Sequence, residues 1–143
     1  MQYWDTSTLL KLYVPEPDSV QFASHLTAAA IFSSELARWE LLRAIVRKET
    51  EGAIAPKSAE AVFAKFRSDV KAGRIVLLPV DGAVEAQFRG LVPQLHRGKP
   101  PVVIRTFDAI HLATAVLLPA TEVVTTDPRM RDGAAVLGMK LFP

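Results

Sequence analysis

Short apolar runs alternate with helical stretches along this sequence, and that alternation restricts the fold more than any other feature. The runs QYW (2–4), AIFSS (30–34), IVLLPV (75–80), EVVTT (122–126) and KLF (140–142) are rich in aromatic or β-branched residues. Several are too continuously apolar to keep a wet face. Between them lie TSTLLKLYV, DSVQFASHLTA, ELARWELLRAIVRKE, SAEAVFAKFRSDVKA, GAVEAQFRGLVPQL, TFDAIHLATAVLL and PRMRDGAAVLG, each with helical character. Strand alternating with helix builds a parallel or mostly parallel sheet covered on both faces, so the fold class is α/β. Boundary residues agree: Asp18 with Gln21 resembles a capping box, Gly73 and Gly138 end helices, and Asp127-Pro128 sets a cap before a first-turn proline. Residues 96–105, HRGKPPVVIR, form a basic loop leading into TFDAIHLATAVLL.

Half of the 143 residues are hydrophobic, enough for one domain over residues 1–143 that buries roughly 68–70% of the unfolded surface. Neither a repeat nor a low-complexity tract interrupts it. The net charge is +2 with a pI near 9.1, so nucleic-acid binding would need a local basic patch. There is no cysteine, which excludes disulfides, thiolate zinc sites and cysteine nucleophiles together. The opening MQYWDTSTLL meets Asp5 before any apolar run forms, unlike a secretory signal, and no apolar stretch approaches the ~20 residues of a membrane span. The expectation is a cytoplasmic protein without a membrane anchor.

The acidic residues carry the chemistry. In an open parallel sheet, sites form beyond the carboxyl ends of the strands. Asp5 ends QYWD and Asp127 ends VVTTD, at that junction. Asp108 lies in the first turn of an almost wholly apolar helix, and Glu40 shares a helical arc with Leu36, Ala37, Leu41 and Ala44. Four carboxylates are thus aimed inward. Two carboxylates ~4 Å apart repel by roughly 4 kcal/mol at an effective dielectric of ~20, a large fraction of a total stability of ~5–15 kcal/mol. Protons or a divalent cation must neutralise such a cluster, and all-oxygen ligation suits magnesium or manganese. Taken singly, Asp5 and Asp127 are also good helix caps, Asp108 complements a helix dipole, and Glu40 reads as a half-exposed helix residue. Asp81 reads as a cap, and Asp18, Asp69 and Asp132 as caps or solvated surface. His111, near Asp108 on its helix, reads as a packed or hydrogen-bonded histidine, while His25 and His96 carry no signal.

With these residues in place, YWDTSTLLKLYVPEP, SSELARWELLRAI, RTFDAIHLATA and VVTTDPRM resemble, in order and over essentially the whole chain, the PIN domain, in particular the VapC-type ribonuclease toxins of prokaryotic toxin–antitoxin pairs. The resemblance implies a three-layer α/β/α sandwich around a mostly parallel sheet of about five strands. It implies Mg2+ or Mn2+ held by Asp5, Glu40, Asp108 and Asp127, with Ser7 and Thr125 as supporting hydroxyls. It implies a homodimer, a cognate VapB-like antitoxin, and an RNA substrate cut by water to leave 5′-phosphate and 3′-hydroxyl ends. Trp4 and Trp39 depart from the smaller aliphatics usual before the first Asp and the helix Glu, and KPPVVIR is an unusual approach to the third motif.

Arg43 and Arg47 follow Glu40 around its helix, and Arg97, Lys99 and Arg105 precede Asp108, so these cations are candidates for holding the RNA backbone. TLLKLYV and ELARWELLRAIV carry more apolar surface than one small core needs, which points to contact with another chain. A haloacid-dehalogenase phosphatase would need a second Asp in DTST, and a receiver domain would need an early acidic pair and a late Lys. The alternative from a different class is a catalytically silent PIN scaffold that binds RNA or a protein.

Overall fold

A computed structural model of the chain describes residues 1–26 and 30–143. The strands are β1 (Gln2–Trp4), β2 (Ile31–Ser34), β3 (Ile75–Leu78), β4 (Glu122–Val124) and β5 (Lys140–Phe142). The helices are α1 (Thr6–Leu10), α2 (Ser19–His25), α3 (Ala37–Thr50), α4 (Ala59–Lys71), α5 (Gly82–His96), α6 (Thr106–Leu117) and α7 (Pro128–Val136). All strand pairs are parallel and the sheet order is β3-β2-β1-β4-β5. The sheet is therefore wholly parallel where the sequence allowed a mixed one.

Alternation along each strand divides the interior into two halves. Tyr3, Val123 and Leu141 face α5, α6 and α7 through Leu91, Leu95, Leu112 and Met130. Their neighbours Trp4, Val124 and Phe142 face the opposite half, with Leu9, Phe22, Leu41, Ile45 and Phe66 from α1 to α4. Helices cover both faces, as continuous apolar strands require. The chain leaves β1 toward one face and β4 toward the other. The gap between their carboxyl ends is the switch point at which doubly wound sheets place their sites.

Local sequence explains most boundaries. Gly73 and Gly138 both have φ of +73°, the left-handed conformation that ends α4 and α7. Packing of α6 on α7 depends on Gly133, where a Cβ would lie 2.6 Å from the Leu112 Cδ1. The first helix is shorter than TSTLLKLYV: after Leu10 the chain tightens, with Leu12 and Tyr13 amides bonding the carbonyls of Leu9 and Leu10, because Pro15 disfavours helix at Val14. Of DSVQFASHLTA, residues 27–28 lie outside the described residues. Asp18 precedes α2 without capping it by its side chain and accepts instead from the Lys11 ammonium at 2.8 Å. Asp69 likewise departs from a solvated role, taking the Tyr13 hydroxyl at 2.6 Å and pairing with Arg74. Among the described residues, no helix is long and apolar enough to cross a membrane.

Candidate active site

The carboxyl ends of β1 and β4 position two acids directly. Asp5 is the N-cap of α1, and its amide is held by the Val124 carbonyl at 3.1 Å. The residue is 7% exposed, and its Oδ2 accepts from Ser7 Oγ at 2.7 Å and Thr125 Oγ1 at 2.9 Å. Asp127 is the N-cap of α7, with Oδ1 accepting the Arg129 and Met130 amides at 2.9 and 3.1 Å. The cap reading of both residues holds, and each still points a second oxygen elsewhere. Asp81 caps α5 through the Ala83 and Val84 amides and stays out of the cleft that gathers the other acids.

Glu40 enters from the first turn of α3. Its Oε2 accepts from Thr6 Oγ1 at 2.7 Å and from His111 Nε2 at 2.8 Å. Burial works to raise its pKa, but the His111 hydrogen bond and charge, helped by Thr6 and Arg43, outweigh it and hold the carboxyl below its ordinary value. For His111 burial works to lower the pKa, and the Glu40 hydrogen bond with the charges of Asp5, Glu40 and Asp108 outweighs it, raising the imidazole. Asp108, in the first turn of α6, accepts Arg105 Nε at 2.8 Å, and the same guanidinium reaches Asp127 Oδ2 through Nη2 at 2.8 Å.

These side chains share one cleft of about 460 Å³, walled by Asp5, Ser7, Glu40, Asp108 and Asp127 with Arg43, Arg47 and Arg105. A contiguous pocket of about 430 Å³ continues past Glu40 and Asp108 to Arg43, Arg105 and Phe107. A larger cavity, about 640 Å³, lies elsewhere, against Tyr13, Val20 and Ile75; the acid among its described lining residues, Asp69, is already taken by Tyr13 and Arg74. We place the site in the smaller cleft, because carboxylates converge there.

As the side chains stand, no group of three or more acids or histidines among the described residues is poised to hold a metal ion. Arg105 bridges two of the acids and His111 engages a third. The donor chemistry nonetheless fits a hard divalent cation, since the acids present oxygen alone. Glu40 Oε1 and Asp108 Oδ1 carry no hydrogen bond among the described residues, and rotation of the exposed Arg105 would release Asp127 Oδ2.

The candidate cations divide. Arg43, Arg47 and Arg105 line the cleft, although Arg47 also pairs with Glu51 at 3.6 Å; Arg97 and Lys99 are exposed and stand outside its lining. The apolar excess of TLLKLYV is consumed internally, with Leu9, Leu10 and Val14 buried. On α3 it is not: Trp39, Leu42 and Val46 form an exposed stripe. Sequence reading missed Thr6, which follows Asp5 directly, and left His111 without a partner. The three-residue spacing from Asp108 to His111, which puts both on neighbouring sides of α6, was the available signal.

Comparison with known proteins adds to this geometry. The sequence model of the PIN domain matches residues 3–136. The chain is 38% identical over 143 residues to a protein named Ribonuclease VapC46 from Mycobacterium tuberculosis, covering 98% of this chain and 95% of that one. It is 30% identical to Ribonuclease VapC47 from the same species, covering 96% and 93%. Among solved structures it resembles a chain of VapBC2 from Rickettsia felis bound to a DNA fragment from their promoter, with a TM-score of 0.70, 16% identity and coverage of 99% and 98%.

Proposed function

The chain belongs to the PIN domain family, and from that membership and the cleft between β1 and β4 we propose that it is the endoribonuclease toxin of a VapBC-type toxin–antitoxin pair, dependent on Mg2+ or Mn2+. The observation that carries the reading is the convergence of Asp5, Glu40, Asp108 and Asp127 at the switch point of a parallel sheet, in a chain similar along its length to named ribonucleases.

A divalent cation, when bound by these acids, supplies charge neutralisation and Lewis-acid activation of water at the scissile phosphate. The residues of the chain do the rest. Ser7 and Thr125 both donate to one oxygen of Asp5 and so fix the carboxylate plane. Thr6 does the same for Glu40. Asp127 is held by its helix cap, and Asp108 is carried on the same rigid turn as Arg105. Arg43 and Arg47, exposed on successive turns of α3, offer cations to the phosphodiester backbone without reading sequence. Water adds across the P–O3′ bond, leaving a 5′-phosphate on one fragment and a 3′-hydroxyl on the other. The Trp39, Leu42 and Val46 stripe is the surface for a second copy or for a VapB-like antitoxin, and the protein works in the cytoplasm as a homodimer.

The test is cleavage of end-labelled tRNAs and rRNA fragments by purified, antitoxin-free protein, with Mg2+, with Mn2+ and with EDTA, beside Asp5→Asn. Metal-dependent cuts that vanish in EDTA and in the variant are expected. RNA that is bound and left intact under both metals would replace this reading with a silent RNA-binding scaffold.

A further inference from the structure

Behind Glu40 runs a hydrogen-bonded chain that the reaction as described does not use. Tyr3 Oη lies 2.6 Å from His111 Nδ1, and His111 Nε2 lies 2.8 Å from Glu40 Oε2. Tyr3 is 0% exposed and His111 1%. The rings meet edge to face, with centroids 5.9 Å apart. A carboxylate can only accept, so Nε2 carries the proton between His111 and Glu40. Nδ1 is then satisfied by the Tyr3 hydroxyl, and the imidazole is pinned at both nitrogens in one orientation.

Burying such a chain is unfavourable compared with a hydrocarbon side chain of the same volume. What distinguishes it from an ordinary satisfied core histidine is what it connects. Tyr3 sits two residues before Asp5 on β1, His111 sits three residues after Asp108 on α6, and Glu40 projects from α3. One brace ties together the elements that carry three of the four acids.

We infer that His111, anchored by Tyr3, is a positioning residue that fixes which oxygen of Glu40 faces the cleft. With Oε2 taken by His111 and Thr6, Oε1 is the oxygen left for a ligand. Without His111 the carboxylate rotates about its last bond and both oxygens compete for Thr6. This rests on the nuclease reading above, since it concerns how that site holds its cation.

The experiment measures Mn2+ binding by titration calorimetry, and kcat and KM on a cleaved RNA, for wild type, His111→Leu, His111→Asn, His111→Gln and Tyr3→Phe, with urea unfolding as the fold control. Outer partners of metal ligands are worth about 10- to 100-fold in affinity or activity. His111→Leu and His111→Asn are expected to weaken Mn2+ and lower kcat in that range with KM for RNA unchanged. His111→Gln, whose amide nitrogen reaches the Nε2 position, is expected to recover most of both, and Tyr3→Phe to fall between. If the folded variants bind Mn2+ as wild type does, with losses that follow unfolding alone, the brace is structural and the inference is overturned while the nuclease stands. Wild type that neither binds Mn2+ nor cuts overturns the nuclease reading and this inference together.

Discussion

The two ends of α1 carry clusters of charge built on opposite principles. At its end, Lys11, whose side chain is 9% exposed, donates to Glu16 at 2.6 Å and Asp18 at 2.8 Å, and Lys48 donates to Glu16 at 2.6 Å. Two ammonium groups face two carboxylates, and every charge is answered. At its start, the pairing available to Asp5, Glu40, Asp108 and Asp127 comes from one guanidinium, of Arg105, and one imidazole, of His111, while Arg43 and Arg47 line the same cleft without pairing with any of the four. Both clusters hold acids, and both touch the same cleft. Their difference teaches that charge balance, more than acid count, separates a fastening from a site. A balanced cluster has little left to offer a ligand, whereas Asp5, held by the hydroxyls of Ser7 and Thr125 and by no basic side chain among the described residues, keeps its charge free for one.

The largest effect that would sharpen this contrast is at Asp5. Asp5→Asn should lower RNA cleavage by about 10³-fold or more, equivalent to about 4 kcal/mol of activation free energy. Its urea midpoint should hold or rise, because one member of a repelling cluster has been neutralised. A midpoint that falls along with activity would make the cleft a fastening as well. Next comes Lys11→Met, which leaves Glu16 and Asp18 short of a cation. Breaking a fully buried pair costs about 3–5 kcal/mol, but here Asp18 is 40% exposed in its side chain and Lys48 still answers Glu16, so a loss of about 1–3 kcal/mol is expected. Urea denaturation reads the loss directly, and no loss would break the comparison.

A smaller, pH-dependent effect follows from Glu16. Burial works to raise its pKa, but the hydrogen bonds and charges of Lys11 and Lys48 outweigh it, so the carboxyl is held below its ordinary value of 4.5. A carboxyl lowered in the folded state stabilises fully above its unfolded pKa and loses that contribution as pH falls through the folded one. The stability gap between wild type and Glu16→Gln should therefore be constant from neutral pH to about 5 and close at more acid pH. A gap that persists under acid would mean that the cluster acts by packing. The smallest effect is at Arg105, which is 60% exposed in its side chain. Exposed ion pairs are worth about 0–1 kcal/mol, so Arg105→Gln should barely move the urea midpoint. Mn2+ binding should tighten, since the guanidinium now bridging Asp108 and Asp127 is removed. Weaker binding would make Arg105 part of the site and not a competitor for it.

Features written in local sequence were legible, and features made by distant pairing were not. Each of the five strands falls inside the apolar run that announced it. The ends differ for local reasons: Pro79 cannot donate to the ladder after Leu78, and Thr125 leaves the strand to serve Asp5 and Asp127. Asp5 and Asp127 were visible because strand ends are where such a sheet gathers its acids. Asp18 and Asp69 misled because a capping pattern cannot reveal a Lys or Tyr approaching from elsewhere in the chain. Tyr3 and His111 are 108 residues apart, and nothing at either position announces the other. The Arg105 bridge was hidden differently, since its bond to Asp127 depends on how closely α6 approaches α7.

That approach is set by a missing methyl group. Gly133 leaves room for the Leu112 side chain, which is fully buried and has little freedom to retreat. Asp108 stands one turn above Leu112, and Asp127 opens the helix that contains Gly133. The spacing of two site carboxylates is therefore calibrated at a position that touches neither of them. A mutational screen that scored residues by distance from the chemistry would pass over Gly133, although it works as a gauge block for the mouth of the cleft.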